Sequence, residues 1–193
     1  GIVSLFMDTV SGVFGPIVPA IAGAGMIKGL LAGLIASKII PGDGDTVKII
    51  DMIASGVFIF LPFFLAVSAA KIFKTNQYLA AAIAACIMSP SMISTAKEGA
   101  VTTFKFLGFL PVPVFNYTSS VIPIIFAVWS LSYIYRGVDK FMPRVLKTVF
   151  TPTVTLFIAS LVTLTIIGPI GIYLGKGLAL FIQMLFNISP VLA

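Results

Sequence analysis

The chain has 193 residues, of which 59% are hydrophobic and 9% are charged, and its mean hydropathy is +1.16. Soluble domains carry about 25% charged residues, so this composition excludes a water-soluble globular protein and predicts a membrane protein. The formal net charge is +6, but the basic residues fall in short segments between apolar runs. That pattern is typical of loops that flank membrane spans, and we expect no nucleic-acid partner.

The first predicted span covers residues 10–40, more than the roughly 20 residues that a helix needs to cross a bilayer. Gly25, Gly29 and Gly33 form a ridge of small residues at which another helix can approach closely. Lys28 is the only charged residue between positions 10 and 37. An ammonium at membrane depth costs about 3 kcal/mol or more to insert, so we expect Lys28 to face protein or water. Two interpretations stay open: a structural or snorkelling lysine, and a group in a polar cavity or ion pair on a substrate path.

A polar loop is predicted at residues 41–51, followed by spans at 52–70 and 78–93. Pro62 lies inside the second span and is expected to kink it. Residues 91–115 are less regular, and Pro111 and Pro113 favour extended backbone before them. We therefore predict a re-entrant or interfacial element for this proline-broken segment.

The fourth predicted span covers residues 120–135 and ends in an aromatic cluster typical of a membrane interface. Residues 136–147 carry four basic side chains against Asp139, which predicts a short amphipathic interfacial helix. Spans at 150–174 and 177–193 follow, and the last ends without a polar anchor, so a fragment of a longer protein is expected. The predicted fold class is all-α: a polytopic α-helical integral membrane protein with five to six spans.

Loop charges favour a cytoplasmic N-terminus. In that orientation the outer loops hold five basic residues against four acids, whereas the inner loops hold six basic residues against one acid. An excess of positive charge inside is the usual orientation signal. The six inner basic residues are Lys71, Lys74, Arg136, Lys140, Arg144 and Lys147.

A run of five hydrogen-bonding side chains occupies positions 116–120, between the proline-broken segment and the fourth span. Asn116, Tyr117, Thr118 and Ser119 are candidates for lining a substrate path, where they could bind sugar hydroxyls. The alternative is capping of the following helix, because Ser and Thr at a helix start satisfy unpaired N–H groups. The sequence leaves both interpretations open.

No catalytic, metal or cofactor site is predicted. Histidine is absent and Cys86 is the only cysteine, which excludes an intramolecular disulfide and a zinc site built from His and Cys. We interpret Cys86 as a packing residue within a span. The acidic residues are scattered through loops, and the sequence holds no Walker loop, dinucleotide fingerprint or nucleophile elbow.

Six segments in this order resemble the membrane C domain of bacterial phosphotransferase-system sugar permeases, of the β-glucoside, sucrose and trehalose type. The segments are SGVFGPIVP at 11–19, GAGMIKG at 23–29, FLPFFLAVSAAK at 60–71, NYTSSVIPII at 116–125, AVWSLSY at 127–133 and IIGPIG at 166–171.

The resemblance implies import of a sugar coupled to its phosphorylation, with phosphate supplied by a phosphocysteine on a cytoplasmic B domain. It implies a homodimer in the bacterial cytoplasmic membrane, in which residues 1–193 form the N-terminal scaffold and dimerisation half. The other half of the C domain would carry the family's sugar-binding histidine and glutamate, which lie outside this chain. Cys86 does not match the context of the phosphocysteine, so no catalytic residue is carried over.

Two alternatives to transport by alternating access remain at this point. One is a truncated scaffold or remnant that dimerises and transports nothing. The other is an ion-coupled secondary transporter, which the lack of acidic residues inside the apolar runs disfavours.

Overall fold

A computed structural model describes residues 1–99 and 102–188. Within these ranges the chain forms nine α-helices and one antiparallel β-hairpin. The helices are α1 Ile2–Phe14, α2 Val18–Ala36, α3 Asp45–Ile59, α4 Leu61–Ile72, α5 Gln77–Ile87, α6 Pro90–Glu98, α7 Ile122–Phe141, α8 Phe150–Val162 and α9 Gly168–Ile188. The strands are β1 Thr103–Phe106 and β2 Leu110–Pro113.

Three helical stretches of the described residues are long and apolar enough to cross a membrane: Ile2–Ala36, Gln77–Glu98 and Phe150–Ile188. A fourth is obtained if α3 and α4, which are bent by 42° at a short break, are taken as one broken span. The prediction of an all-α protein with several apolar helices is confirmed.

The first helical stretch begins before the predicted span 10–40 and ends before it does. A 3₁₀ turn at Gly15–Ile17 separates α1 from α2. Pro16 and Pro19 lie at the second positions of that turn and of α2. Proline is tolerated there because the first N–H groups of a helix have no intrahelical acceptor.

The second predicted span is broken, and the third lies within one helical stretch made of two helices. The span predicted at 52–70 is split between α3 and α4, and α3 begins at Asp45, inside the predicted loop 41–51. An acidic residue in the first turn favours a helix start there, since it complements the helix dipole. The span predicted at 78–93 is divided between α5 and α6, with Pro90 opening α6.

The proline-broken segment contains α6 and the hairpin of β1 and β2, in which Thr103 pairs with Pro113 and Phe106 with Leu110. The extended backbone expected around Pro111 and Pro113 is confirmed. A two-stranded hairpin has two edge strands, which is where a sheet tolerates proline.

The elements predicted after residue 120 are joined into longer helices in the structure. Helix α7 continues through residues 136–141, so these residues do not begin a separate amphipathic helix, and only a 3₁₀ turn at Arg144–Leu146 follows. Helices α8 and α9 are joined through a π-helical turn at Thr163–Ile167, without the break expected between 174 and 177. Residues 189–193 of the sixth predicted span lie outside the described residues.

The core lies where α4, α5 and α7 pack against one another, with α1, α8 and α9 around them. Small side chains let these helices approach closely. The fully buried alanines of this core are Ala66, Ala69, Ala70, Ala80, Ala84, Ala127 and Ala159.

Candidate functional site at the broken third helix

The break between α3 and α4 interrupts the ladder of helical hydrogen bonds. Pro62 has no N–H, so it cannot donate to the carbonyl of Phe58, four residues earlier. The N–H of Phe63 donates to the carbonyl of Phe60 at 3.0 Å, one residue later than the α-helical acceptor, Ile59. The carbonyls of Phe58 and Ile59 therefore need other donors, because an unpaired backbone group away from water is costly.

Ser119 supplies both donors from a segment 60 residues away. Its N–H donates to the carbonyl of Ile59 at 3.2 Å, and its Oγ donates to the carbonyl of Phe58 at 2.8 Å. Ser119 has a φ of 61°, in the left-handed region that residues other than glycine seldom adopt. Two hydrogen bonds to the broken helix offset the cost of that conformation.

The rest of the polar run folds into a tight turn that presents Ser119. The Asn116 Oδ1 accepts hydrogen bonds from the N–H of Thr118 at 3.1 Å and from its Oγ1 at 2.7 Å, which is an Asx turn. Helix α7 has no side-chain cap. The predicted capping of α7 is therefore not observed, and within the run only Ser119 donates hydrogen bonds to the end of α3.

Tyr117 faces away from the break and into the core. Its side chain is fully buried, and its hydroxyl has no hydrogen-bond partner among the described residues. The phenol lies so close to Gly168 that any side chain there would collide with it. Burial raises the pKa of Tyr117 well above its ordinary value, so the hydroxyl remains protonated.

Lys28 contacts α3 through its ammonium group, while its side chain remains exposed. Its Nζ donates to the Ser55 Oγ at 2.8 Å, and this Oγ donates to the Asp51 Oδ1 at 2.9 Å. The ammonium also lies 5.7 Å from the centroid of the Phe58 ring, within cation–π range. A serine-bridged pair of opposite charges thus joins α2 to α3.

The glycine ridge does not explain the orientation of Lys28. A Cβ placed on Gly25, Gly29 or Gly33 would have no atom of the described chain within 4 Å beyond its local helix. The close helix approach predicted for this ridge is therefore not made within the described residues. Lys28 contacts α3 because Ser55 and Asp51 lie on one face of that helix, four residues apart.

Both candidate groups meet on Phe58: Lys28 lies over its ring, and Ser119 donates to its carbonyl. We call Lys28, Asp51, Ser55, Phe58 and Ser119 the break site. It combines an ammonium, a carboxylate, hydroxyls and an aromatic face, which are groups that can bind a polyhydroxylated ligand. The described residues contain no cluster of three or more His, Cys, Asp or Glu side chains that could hold a metal ion.

Sequence reasoning missed Asp51, Ser55 and Phe58. The signal for the first two was their spacing of four residues on a helix, but α3 begins earlier than the predicted span. Asp51 was therefore assigned to a loop.

The family model for the phosphotransferase system EIIC component matches residues 11–192. The chain belongs to this family. The predicted resemblance to this family and the predicted polytopic helical membrane fold are both confirmed.

Several curated relatives are similar to this chain. The β-glucoside-specific EIIBCA component of Bacillus subtilis (strain 168) is 42% identical over 192 residues, which are 100% of this chain and 31% of the relative. The arbutin-, cellobiose- and salicin-specific EIIBC component of Escherichia coli (strain K12) is 38% identical over 173 residues, 90% of this chain and 36% of the relative. The sucrose-specific EIIBC component of Bacillus subtilis (strain 168) is 32% identical over 184 residues, which are 94% of this chain and 40% of the relative.

The chain therefore spans about a third of the length of these relatives. No solved structure matches significantly.

Proposed function

We propose that this chain is part of a membrane subunit that imports a β-glucoside or a related sugar and couples the import to phosphorylation of the sugar. The observation that carries the proposal is the broken helix α3–α4, which Lys28 contacts through Ser55 and Ser119 contacts at the break. Transporters often build their substrate sites at discontinuous helices. The names of the relatives indicate the substrate class.

The proposed partners are the sugar, a B domain that donates phosphate from a phosphocysteine, and the other half of the C domain. The relatives carry EIIB and EIIC components in one protein, which supports the B-domain partner. Residues 1–193 would form the scaffold half of a homodimer, with the N-terminus in the cytoplasm of a bacterium. Cys86 lies on α5, and we assign it a packing role rather than phosphate transfer.

We propose different roles for the polar candidates within this scaffold. Lys28 fixes α2 on α3, and Ser119 fixes the polar turn on the break, so both position the site. Asn116 and Thr118 shape the turn through their mutual hydrogen bonds. Tyr117 anchors the turn in the core against Gly168.

A scaffold that dimerises without transporting is the second candidate. The open ridge of Gly25, Gly29 and Gly33 favours it, because a surface of this kind suits a close contact with another helix. The two candidates differ in whether sugar crosses the membrane.

The test is uptake by the complete reading frame that contains these residues, expressed in a bacterium without its own β-glucoside uptake. Membrane vesicles would be given phosphoenolpyruvate, the soluble phosphotransferase proteins and a radiolabelled β-glucoside, with labelled sucrose in parallel. We expect phosphorylated β-glucoside inside the vesicles, and none when phosphoenolpyruvate is omitted. Correctly inserted protein that accumulates neither sugar would contradict the transport proposal and favour the scaffold.

A further inference from the structure

An apolar groove of about 430 Å³ lies between α7 and α8, at the end of α7 that carries the basic residues. Gly137 lies in the groove, and a Cβ placed on it would meet no atom within 4 Å beyond its local helix. The groove is thus not filled by a neighbouring side chain at Gly137. The residues that line it are Ile134, Gly137, Val138, Phe141, Met142 and Val154.

Basic residues lie close in the chain to residues that line this groove. Lys140 precedes Phe141 on α7, and Arg144 and Lys147 follow Met142 in the connection to α8. The Lys147 Nζ lies 3.6 Å from the Asp139 Oδ2, which holds the connection against the end of α7. Lys140 and Arg144 are exposed, so their charges are available to a ligand.

Helix α4 brings two further positive charges to the same end of the molecule. The Arg136 Nη2 donates to the carbonyl of Phe73 at 3.1 Å, which joins the end of α4 to α7 and places Lys71 and Lys74 on that side. Asp139 is the only acid in the basic segment 136–147.

Exposed apolar side chains alternate with these charges. Val145 is 92% exposed and Phe141 is 84% exposed, next to Arg144 and Lys140 respectively. An ordinary water-facing loop does not pair large apolar side chains with basic ones in this way. The pairing is typical of a segment at the boundary between lipid tails and headgroups.

We propose that the groove binds an anionic phospholipid, with an acyl chain against Gly137 and the phosphate near Lys140 and Arg144. An apolar groove alone would accept any lipid tail, and the basic residues alone would attract any anion. Together they select a ligand that has both a long apolar chain and a negative headgroup. The proposal is independent of which sugar is transported.

The test is native mass spectrometry of the purified chain in an uncharged detergent, with phosphatidylglycerol or phosphatidylcholine of identical acyl chains added. Each basic residue near an anionic lipid surface strengthens binding by about fivefold. We therefore expect phosphatidylglycerol to be retained at least roughly tenfold better than phosphatidylcholine. Equal retention of the two lipids by the wild-type chain would overturn the proposal, whatever the variants do.

Two variants separate the headgroup from the acyl chain. The double variant Lys140→Gln/Arg144→Gln should lower phosphatidylglycerol retention to near that of phosphatidylcholine. Its control, Lys48→Gln/Lys97→Gln, removes the same charge from exposed residues elsewhere and should retain phosphatidylglycerol like the wild type. Equal retention by the two double variants would also overturn the proposal.

Gly137→Leu fills the groove and should lower retention of both lipids, whereas Gly29→Leu, at another open glycine, should not.

Added glycerol phosphate distinguishes the headgroup from the whole lipid. It should leave the bound lipid in place, and displacement of phosphatidylglycerol by it would show a simple anion site instead.

Discussion

Helices α2 and α4 each carry a single charged residue, Lys28 and Lys71, but they differ in how much of their surface is buried by the rest of the chain. Helix α4 has six buried residues, so it is packed within the chain, whereas only Ala24 and Leu31 are buried on the longer α2. Both helices have small residues spaced by four. The alanines of α4 face α5 and α7, but the glycines of α2 face no described part of the chain. A pattern of small residues thus permits a close helix contact, but it does not show which element, if any, of the described chain makes that contact.

The largest expected difference between the two regions comes from enlarging a small residue in each. Ala69 of α4 is fully buried, so Ala69→Leu should destabilise the protein by about 1–3 kcal/mol through overpacking. Gly29→Leu on α2 should change stability by about 0.5 kcal/mol or less. Thermal unfolding of both variants in detergent measures the difference. A large loss for Gly29→Leu would mean that α2 is covered after all.

A smaller effect is expected at the α3–α4 break. Ser119→Ala removes the donor to the Phe58 carbonyl and should cost about 1–2 kcal/mol. Pro62→Ala restores a backbone N–H that can donate to the same carbonyl. The cost of Ser119→Ala should therefore be smaller in a Pro62→Ala background, as measured by thermal unfolding. An unchanged cost would show that Ser119 does not substitute for the donor that proline removes.

The smallest of these effects is expected between α2 and α3. Ser55→Ala removes the bridge between Lys28 and Asp51 and should cost about 1 kcal/mol, since both charged residues are exposed and can be solvated. Ser130→Ala is a suitable control because the Ser130 hydroxyl bonds only within its own helix, to Ala127. If the two variants unfold at the same temperature, the bridge contributes nothing to stability.

The sequence was sufficient for the features that depend on local chemistry. Composition predicts the membrane class, Pro62 predicts the interruption of the second span, and Pro111 and Pro113 predict extended backbone. A charge at membrane depth is expected to face protein or water, and the exposed Lys28 donates to Ser55. The membrane class follows from the overall composition, and each of the other features follows from one residue and its immediate neighbours.

Features that depend on distant pairing could not be predicted. Ser119 donates hydrogen bonds to Ile59 and Phe58, which precede it by 60 and 61 positions in the chain. No local sequence pattern identifies α3 as its partner. The start of α3 was missed because its first two turns are polar enough to resemble a loop. The break expected between residues 174 and 177 is absent, because Gly175, Lys176 and Gly177 lie within the continuous helix α9.

The most direct test of the break site is a double-mutant cycle between Lys28→Met and Ser119→Ala, read as the free energy of unfolding in detergent. Lys28 and Ser119 contact the ring and the carbonyl of the same residue, Phe58. Residues that share a partner couple by about 0.5–3 kcal/mol, whereas independent sites add within about 0.3–0.5 kcal/mol. We predict coupling of at least about 0.5 kcal/mol for this pair, and additivity for Lys28→Met combined with Ser130→Ala. Additive effects of Lys28→Met and Ser119→Ala would contradict a single site at the broken helix.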